Sequence, residues 1–286
     1  MELIVRVPGS CGELVQGYMQ GMPFLITCPV DLYAAAVVND KLRGFFNVGS
    51  KARRVLQRTL SYIGETEFPF GLTIQSELPQ GKGMASSSAD AAAVIIATAA
   101  VFGKCLSEDE IGRLAALEDP TDGVFCQGIV SINYHTGQIL RAYGPPPPLK
   151  IAVFDTGGYV DTVAFHAAKD RLAPRQDRRI DAALRLLDKT YTAEAVGYAA
   201  TWSAQANQCI LFKDGLKSLI QKLPEWGGLG VNVAHSGTVL GVLFPGDMDT
   251  ARIEDRVRLI NANILPIQYM RTVSLISGGW TVEYRR

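Results

Sequence analysis

The sequence has little of what marks several large protein classes. Its 286 residues include only three histidines, and its five cysteines (Cys11, Cys28, Cys105, Cys126, Cys209) form no C-x-x-C pair. No histidine stands at ligand spacing from them, so the cysteines read as reduced thiols, not as a zinc site or a disulfide framework. Net charge is missing too: 28 Lys+Arg balance 28 Asp+Glu. Such a chain has no global field drawing it to nucleic acid or to an anionic membrane, which points to a small ligand. The longest apolar run, residues 91–102, is shorter than the roughly 20 residues a membrane helix needs. A strand-like pattern starts at once at the N-terminus, so no signal peptide is expected and the location expected is cytoplasmic. No internal repeat is visible. Two common nucleotide motifs fail as well: Lys82 is followed by Gly83, not by the Ser/Thr of G-x-x-x-x-G-K-[ST], and Ser86 breaks G-x-G-x-x-G.

What is there suits a globular protein of one or two domains, 48% apolar and 20% charged. Residues 79–100, PQGKGMASSSADAAAVIIATAA, organise it. Gly81 and Gly83 can take positive φ and let backbone approach a ligand. Ser87 and Asp90 fit an S-x-x-D capping box, which predicts a helix starting near Ser88. A helix N-terminus after such a loop offers N–H donors and the positive end of a dipole to phosphate or carboxylate. The pattern Pro79-x-x-x-Gly83-Met84-Ala85-Ser86-Ser87-Ser88-Ala89 resembles the phosphate loop of the GHMP kinases, the family of galactokinase, homoserine kinase and mevalonate kinase.

Periodicity places strands over 2–7, 23–28, 33–39 and 71–76, and helices over 51–63, 88–102 and 108–117, the last capped by Ser107 and Glu110. A hairpin is expected over 129–143. The four prolines 145–148 fit neither helix nor central strand and predict a boundary between domains 1–146 and 147–286. Beyond them lie a buried strand (151–154), helices (175–187, 192–205, 213–223, 248–261) and strands (229–234, 238–244, 267–275, 280–284). The class is α+β.

Three further constellations could carry chemistry. Residues 8–17, PGSCGELVQG, set three glycines and the polar Glu13 and Gln16 after a strand end, where they can converge on a ligand. Glu118, Asp119 and Asp122 crowd a helix exit, the negative end of its dipole, and such a local conflict points to a site. Carboxylates there suit Mg²⁺, or the acceptance of a hydroxyl proton; the alternative is a solvated acidic turn. Residues 232–241 form a strand–turn–strand whose small residues Ser236 and Gly237 admit a ligand, with His235 read chiefly as structural. Asp161, in a loop after residues 151–154, is a further candidate for a substrate ammonium.

The first of these also resembles the family's N-terminal P-G motif with a glutamate, and PGSCGELVQG looks most like its L-threonine kinase branch, which serves cobalamin side-chain synthesis. The resemblance implies a two-domain fold, with an N-terminal domain like ribosomal protein S5 domain 2 and a ferredoxin-like C-terminal domain around an ATP cleft. It implies transfer of phosphate from ATP to the hydroxyl of L-threonine. Gln80, Gly81, Lys82, Gly83, Met84, Ala85, Ser86, Ser87 and Ser88 would hold the phosphates. Ser87 and Asp119, or Glu118 in place of Asp119, would hold Mg²⁺, and Asp122 would be the catalytic residue. Gly9, Ser10, Cys11, Gly12, Glu13, Gln16, Asp161, Ser236 and Gly237 would bind the amino acid. The alternatives are a kinase of another small alcohol, such as homoserine, and a non-catalytic S5-like nucleic-acid module.

Overall fold

A computed structural model describes residues 1–158, 160, 177–264 and 266–285. Asp161 lies outside them.

Three sheets carry the fold. The first has the order β13-β1-β4-β6-β5, from β1 (Glu2–Ser10), β4 (Pro29–Asn39), β5 (Gly44–Phe46), β6 (Gly71–Ser76) and β13 (Thr281–Arg285). The second has the order β2-β3-β7-β8, from β2 (Val15–Met19), β3 (Met22–Ile26), β7 (Ile129–Asn133) and β8 (Gln138–Gly144). Prolines 145–148 lead from it to the third, β10-β11-β9-β12, built from β9 (Leu149–Asp155), β10 (Gly230–Val233), β11 (Val239–Pro245) and β12 (Gln268–Ser274). The last strand returns to the first sheet, where Glu2 faces Arg285 and Arg6 faces Thr281.

One expectation fails at β1. The strand does not break at Pro8-Gly9 but continues to Ser10, with a register shift between those two residues. A bulge tolerates the proline and re-aims the chain. Strand β9 explains its near-continuous apolar sequence: Leu149, Ile151 and Val153 enter the main core, while Ala152 and Phe154 enter a second core beneath the third sheet. Both faces are covered, so no polar alternation is needed.

Helix α1 (Ser50–Ile63) packs on α2 (Ser86–Val101), which lies on β1 and β4 and also touches α3 (Glu108–Ala116). Its side chains Ala89, Ala92, Ala93, Val94, Ile95, Ala97 and Ala99 are buried. A helix apolar all round belongs inside, and alanines allow close approach to the sheet. In the second half, α4 (Arg178–Lys189), α5 (Ala193–Asn207), α6 (Leu216–Lys222) and α7 (Thr250–Asn263) cover the sheets, α5 lying against β10 and β2. Among the described residues no helix is long and apolar enough to cross a membrane.

Candidate active site

Helix α2 opens the site. Gly81 and Gly83 have φ of 70° and 84°, and Ala85 is also left-handed at 58°. Ala85 is the N-cap residue, so the helix begins at Ser86, and no side chain caps it. The expected capping box of Ser87 and Asp90 is therefore not formed: the turn at Ala85 starts the helix two residues early. The first-turn N–H groups are left to a ligand.

The loop is clamped from both halves of the chain. The Ser10 and Gly12 amides donate to the Met84 and Gly83 carbonyls, at 3.1 and 3.0 Å. Those of Cys11 and Glu13 donate to Cys28 and Val233. These four amides are spent, and Gly9, Ser10, Cys11 and Gly12 are not among the residues lining the cavity described below. In this structure, these residues support the loop from beneath. From the other side, Thr238 and Val239 both donate to the Lys82 carbonyl at 3.0 Å. A Cβ on Gly237 would stand 2.3 Å from that carbonyl, so only glycine lets the turn close against the loop.

That turn is fixed by a buried relay. Glu13 Oε2 accepts from the His235 backbone N–H at 2.9 Å and faces its Nδ1 at 2.8 Å. Nδ1 donating to a carboxylate leaves Nε2 to accept, and Ser203 Oγ lies 3.1 Å from it. Ser203 in turn accepts from the Gln16 amide at 3.0 Å. Lys213 Nζ donates to the Gly237 carbonyl at 2.5 Å. Burial lowers its ammonium to about 8, against the nearby Glu13 and Asp155 charges that raise it.

The acidic loop after α3 divides in two. Arg54 and Arg58 reach Glu118 with Nε at 2.6 and 2.5 Å, and Lys51 pairs with Asp119. Asp122 instead meets Ser88, whose Oγ donates to Oδ2 at 2.9 Å and accepts from the Asp122 amide at 3.1 Å. Burial first, then the Glu13 and Asp119 charges, push the Asp122 carboxyl up to about 7, opposed by the Ser88 hydrogen bond. A carboxylate poised near neutrality has the strength of a general base at operating pH.

These groups surround a cavity of about 460 Å³, within the range of small-ligand sites. Glu13, Gln16, Gln80, Gly81, Gly83, Met84, Ala85, Ser86, Ser87, Ser88, Asp119, Asp122 and Ser236 line it. Lys82 does not: its ammonium holds Asp155 Oδ2 at 2.7 Å and the Gly158 carbonyl at 2.9 Å. Gly237 lies behind the lining. Lys51, Asp90, Ser203 and Lys213 were not singled out as site residues by sequence reasoning. Asp90 could have been, since its S-x-x-D spacing also sets it one turn beyond Ser86 and Ser87. The others carry no motif.

The family model for the GHMP kinases N terminal domain matches residues 50–126. An L-threonine kinase of Salmonella typhimurium is 32% identical over 267 residues, covering 89% of this chain and 87% of that protein. The chain belongs to the GHMP kinases. Its fold is shared with the Methanococcus jannaschii mevalonate kinase, at a TM-score of 0.73 and 14% identity over 96% of this chain and 98% of that one. It is also shared with a homoserine kinase from Cytophaga hutchinsonii, at 0.67 and 14% over 99% and 97%.

As a GHMP kinase, the chain is a phosphotransferase. Mg²⁺ in such sites keeps waters and binds through one or two carboxylates plus substrate phosphates. Among the described residues no three His, Cys, Asp or Glu side chains are grouped to hold a metal by themselves. The donors fit an ion carried in on a nucleotide: the Ser87 side chain is exposed at the cavity, and Asp90 Oδ1 is buried there with no partner.

Proposed function

We propose that the protein transfers the γ-phosphoryl group of ATP to the side-chain hydroxyl of L-threonine, giving ADP and O-phospho-L-threonine. The observation that carries this is the Ser88–Asp122 hydrogen bond. It ties a carboxylate of neutral pKa to the first turn of the helix that receives the phosphates. The threonine hydroxyl attacks the γ-phosphorus, the bond to the β–γ bridging oxygen breaks, and the hydroxyl proton passes to Asp122. Mg²⁺ bound with the nucleotide would supply positive charge for the transferring group. Phosphoryl transfer is mostly positioning and charge stabilisation, which the uncapped N-terminus at Ser86–Ser88 supplies.

Threonine is favoured by the similarity to the Salmonella enzyme and by Glu13. A zwitterion needs an acceptor for its ammonium, and the Glu13 carboxylate stands at the cavity wall with His235 fixing it. An isoprenoid alcohol has no cation to pair with it. A cytoplasmic place in cobalamin side-chain synthesis and the division into domains 1–146 and 147–286 belong to the same proposal. The test is a comparison of kcat/KM for L-threonine, L-serine, L-homoserine and mevalonate, each with ATP and Mg²⁺. L-Threonine should exceed L-serine by about 10–100-fold for its extra methyl. Preference for mevalonate would overturn the amino-acid reading, and preference for homoserine only the choice of amino acid.

A further inference from the structure

Five carboxylates line the cavity, and four of them have partners. Glu13 is held by His235, Glu118 by Arg54 and Arg58, Asp119 by Lys51, and Asp122 by Ser88. Asp90 is the exception. Among the described residues none bonds its side chain, and Oδ1 is buried without a partner. Burial alone raises its carboxyl to about 6. The lysine of the loop and the one at the start of α1 are already engaged, Lys82 with Asp155 and Lys51 with Asp119.

The position of Asp90 gives this meaning. It stands four and three residues beyond Ser86 and Ser87 on α2, a spacing that puts all three side chains on one helix face. All three line the cavity. A lone carboxylate beside a triphosphate would repel it unless a cation stood between them. Of the ligands this site takes, the divalent ion that accompanies the nucleotide is the one whose charge would turn that repulsion into attraction.

We propose that Asp90, in place of Asp119, is the protein carboxylate that holds the divalent cation accompanying the nucleotide phosphates, directly or through a bound water. This rests on the reading of the cavity as a nucleotide site, and the metal-free measurement below tests that reading separately.

The experiment is calorimetric titration of the full chain with ATP in EDTA and with ATP plus Mg²⁺, without amino acid, for wild type, Asp90→Asn and Asp119→Asn. Wild type should prefer the magnesium complex. Asp90→Asn should cut that preference by about 10–100-fold, while metal-free ATP binds at least as well as to wild type because the like charge is gone. Asp119→Asn should leave the preference within about twofold, the scatter expected of a rim charge. The electron paramagnetic resonance signal of Mn²⁺ in the ATP complex should change in Asp90→Asn alone. If that variant does not fold, Asp90→Ser takes its place. The proposal is overturned if the Asp90 variant keeps the preference, or if it weakens both forms of ATP equally, which marks a nucleoside contact. It is also overturned if Asp119→Asn is the variant that loses the preference. Failure of wild type to bind ATP in either form would instead overturn the nucleotide reading.

Discussion

The rim and the inner wall of the cavity carry the same acidic chemistry under opposite conditions. At the rim, burial raises the Glu118 carboxyl, but hydrogen bonds from Arg54 and Arg58 more than offset this and hold it below its usual range. On the inner wall, Asp122 and Asp90 have no basic partner among the described residues, and burial pushes them up to about 7 and about 6. The rim acids are neutralised by the protein itself and serve packing between α1 and the loop after α3. The inner acids have their counter-charge or proton left to be supplied by whatever binds. The cavity is built by withholding cations from its inner wall, not only by placing anions there.

The sharpest break of this contrast is Asp122→Asn. It should lower kcat by about 10²–10⁴-fold as the loss of a general base, while nucleotide binding, read by titration, survives. In wild type, kcat/KM should rise as pH climbs through about 7, where Asp122 loses its proton, and Asp122→Asn should lose that limb. Next comes Glu13→Gln, which should raise the KM for the amino acid by about 10–100-fold, the cost of one charged hydrogen bond, with little change in the KM for ATP.

A third prediction concerns stability without ligand. Asp122 and Asp90 titrate higher in the folded chain than their ordinary 3.8. Their contribution to stability is therefore full below about pH 4 and is lost as pH rises through 6 to 7. Thermal scans should show the apo protein losing stability over that window. Asp122→Asn should flatten the loss and melt higher than wild type at pH 8. An unchanged pH profile would mean the inner wall is solvated like the rim. The smallest effect belongs to the rim: Arg54→Ala should cost less than about 1 kcal/mol in urea unfolding, as exposed ion pairs do, and leave kcat intact.

Much of the site could be read from sequence because its signals are local. Gly81, Gly83 and the serines mark a loop that turns into a helix N-terminus at the cavity, and Glu13 stands out as a lone acid in a glycine run. The acidic cluster at 118–122 was legible as a conflict with the helix dipole, but not its resolution. The basic residues that settle it sit on α1, 60 to 68 positions away. The capping box misled because Ala85, a residue rarely left-handed, takes the turn that Ser87 was expected to supply. Ser203 and Lys213 were invisible for the same reason of distance: each acts through a partner, His235 or Gly237, that only folding brings near. The fold class was readable from alternating elements, whereas the return of β13 to β1 was not, since pairing across the whole chain leaves no local pattern.

That pairing sets the order in which the protein can be made. Arg6 and Glu283 meet at 2.9 Å across 277 positions. The far end of the same strand carries the Ser10 amide, and Gly12 follows two residues beyond it; both hold the loop that opens α2. On the ribosome, β1 and its other neighbour β4 emerge long before β13, so the edge that β13 covers stays open in the meantime, a template for pairing with other chains. Contacts of such sequence separation close slowly. The first strand is thus a debt carried by the nascent chain until β13 has emerged, and chaperone demand should fall once that pairing forms.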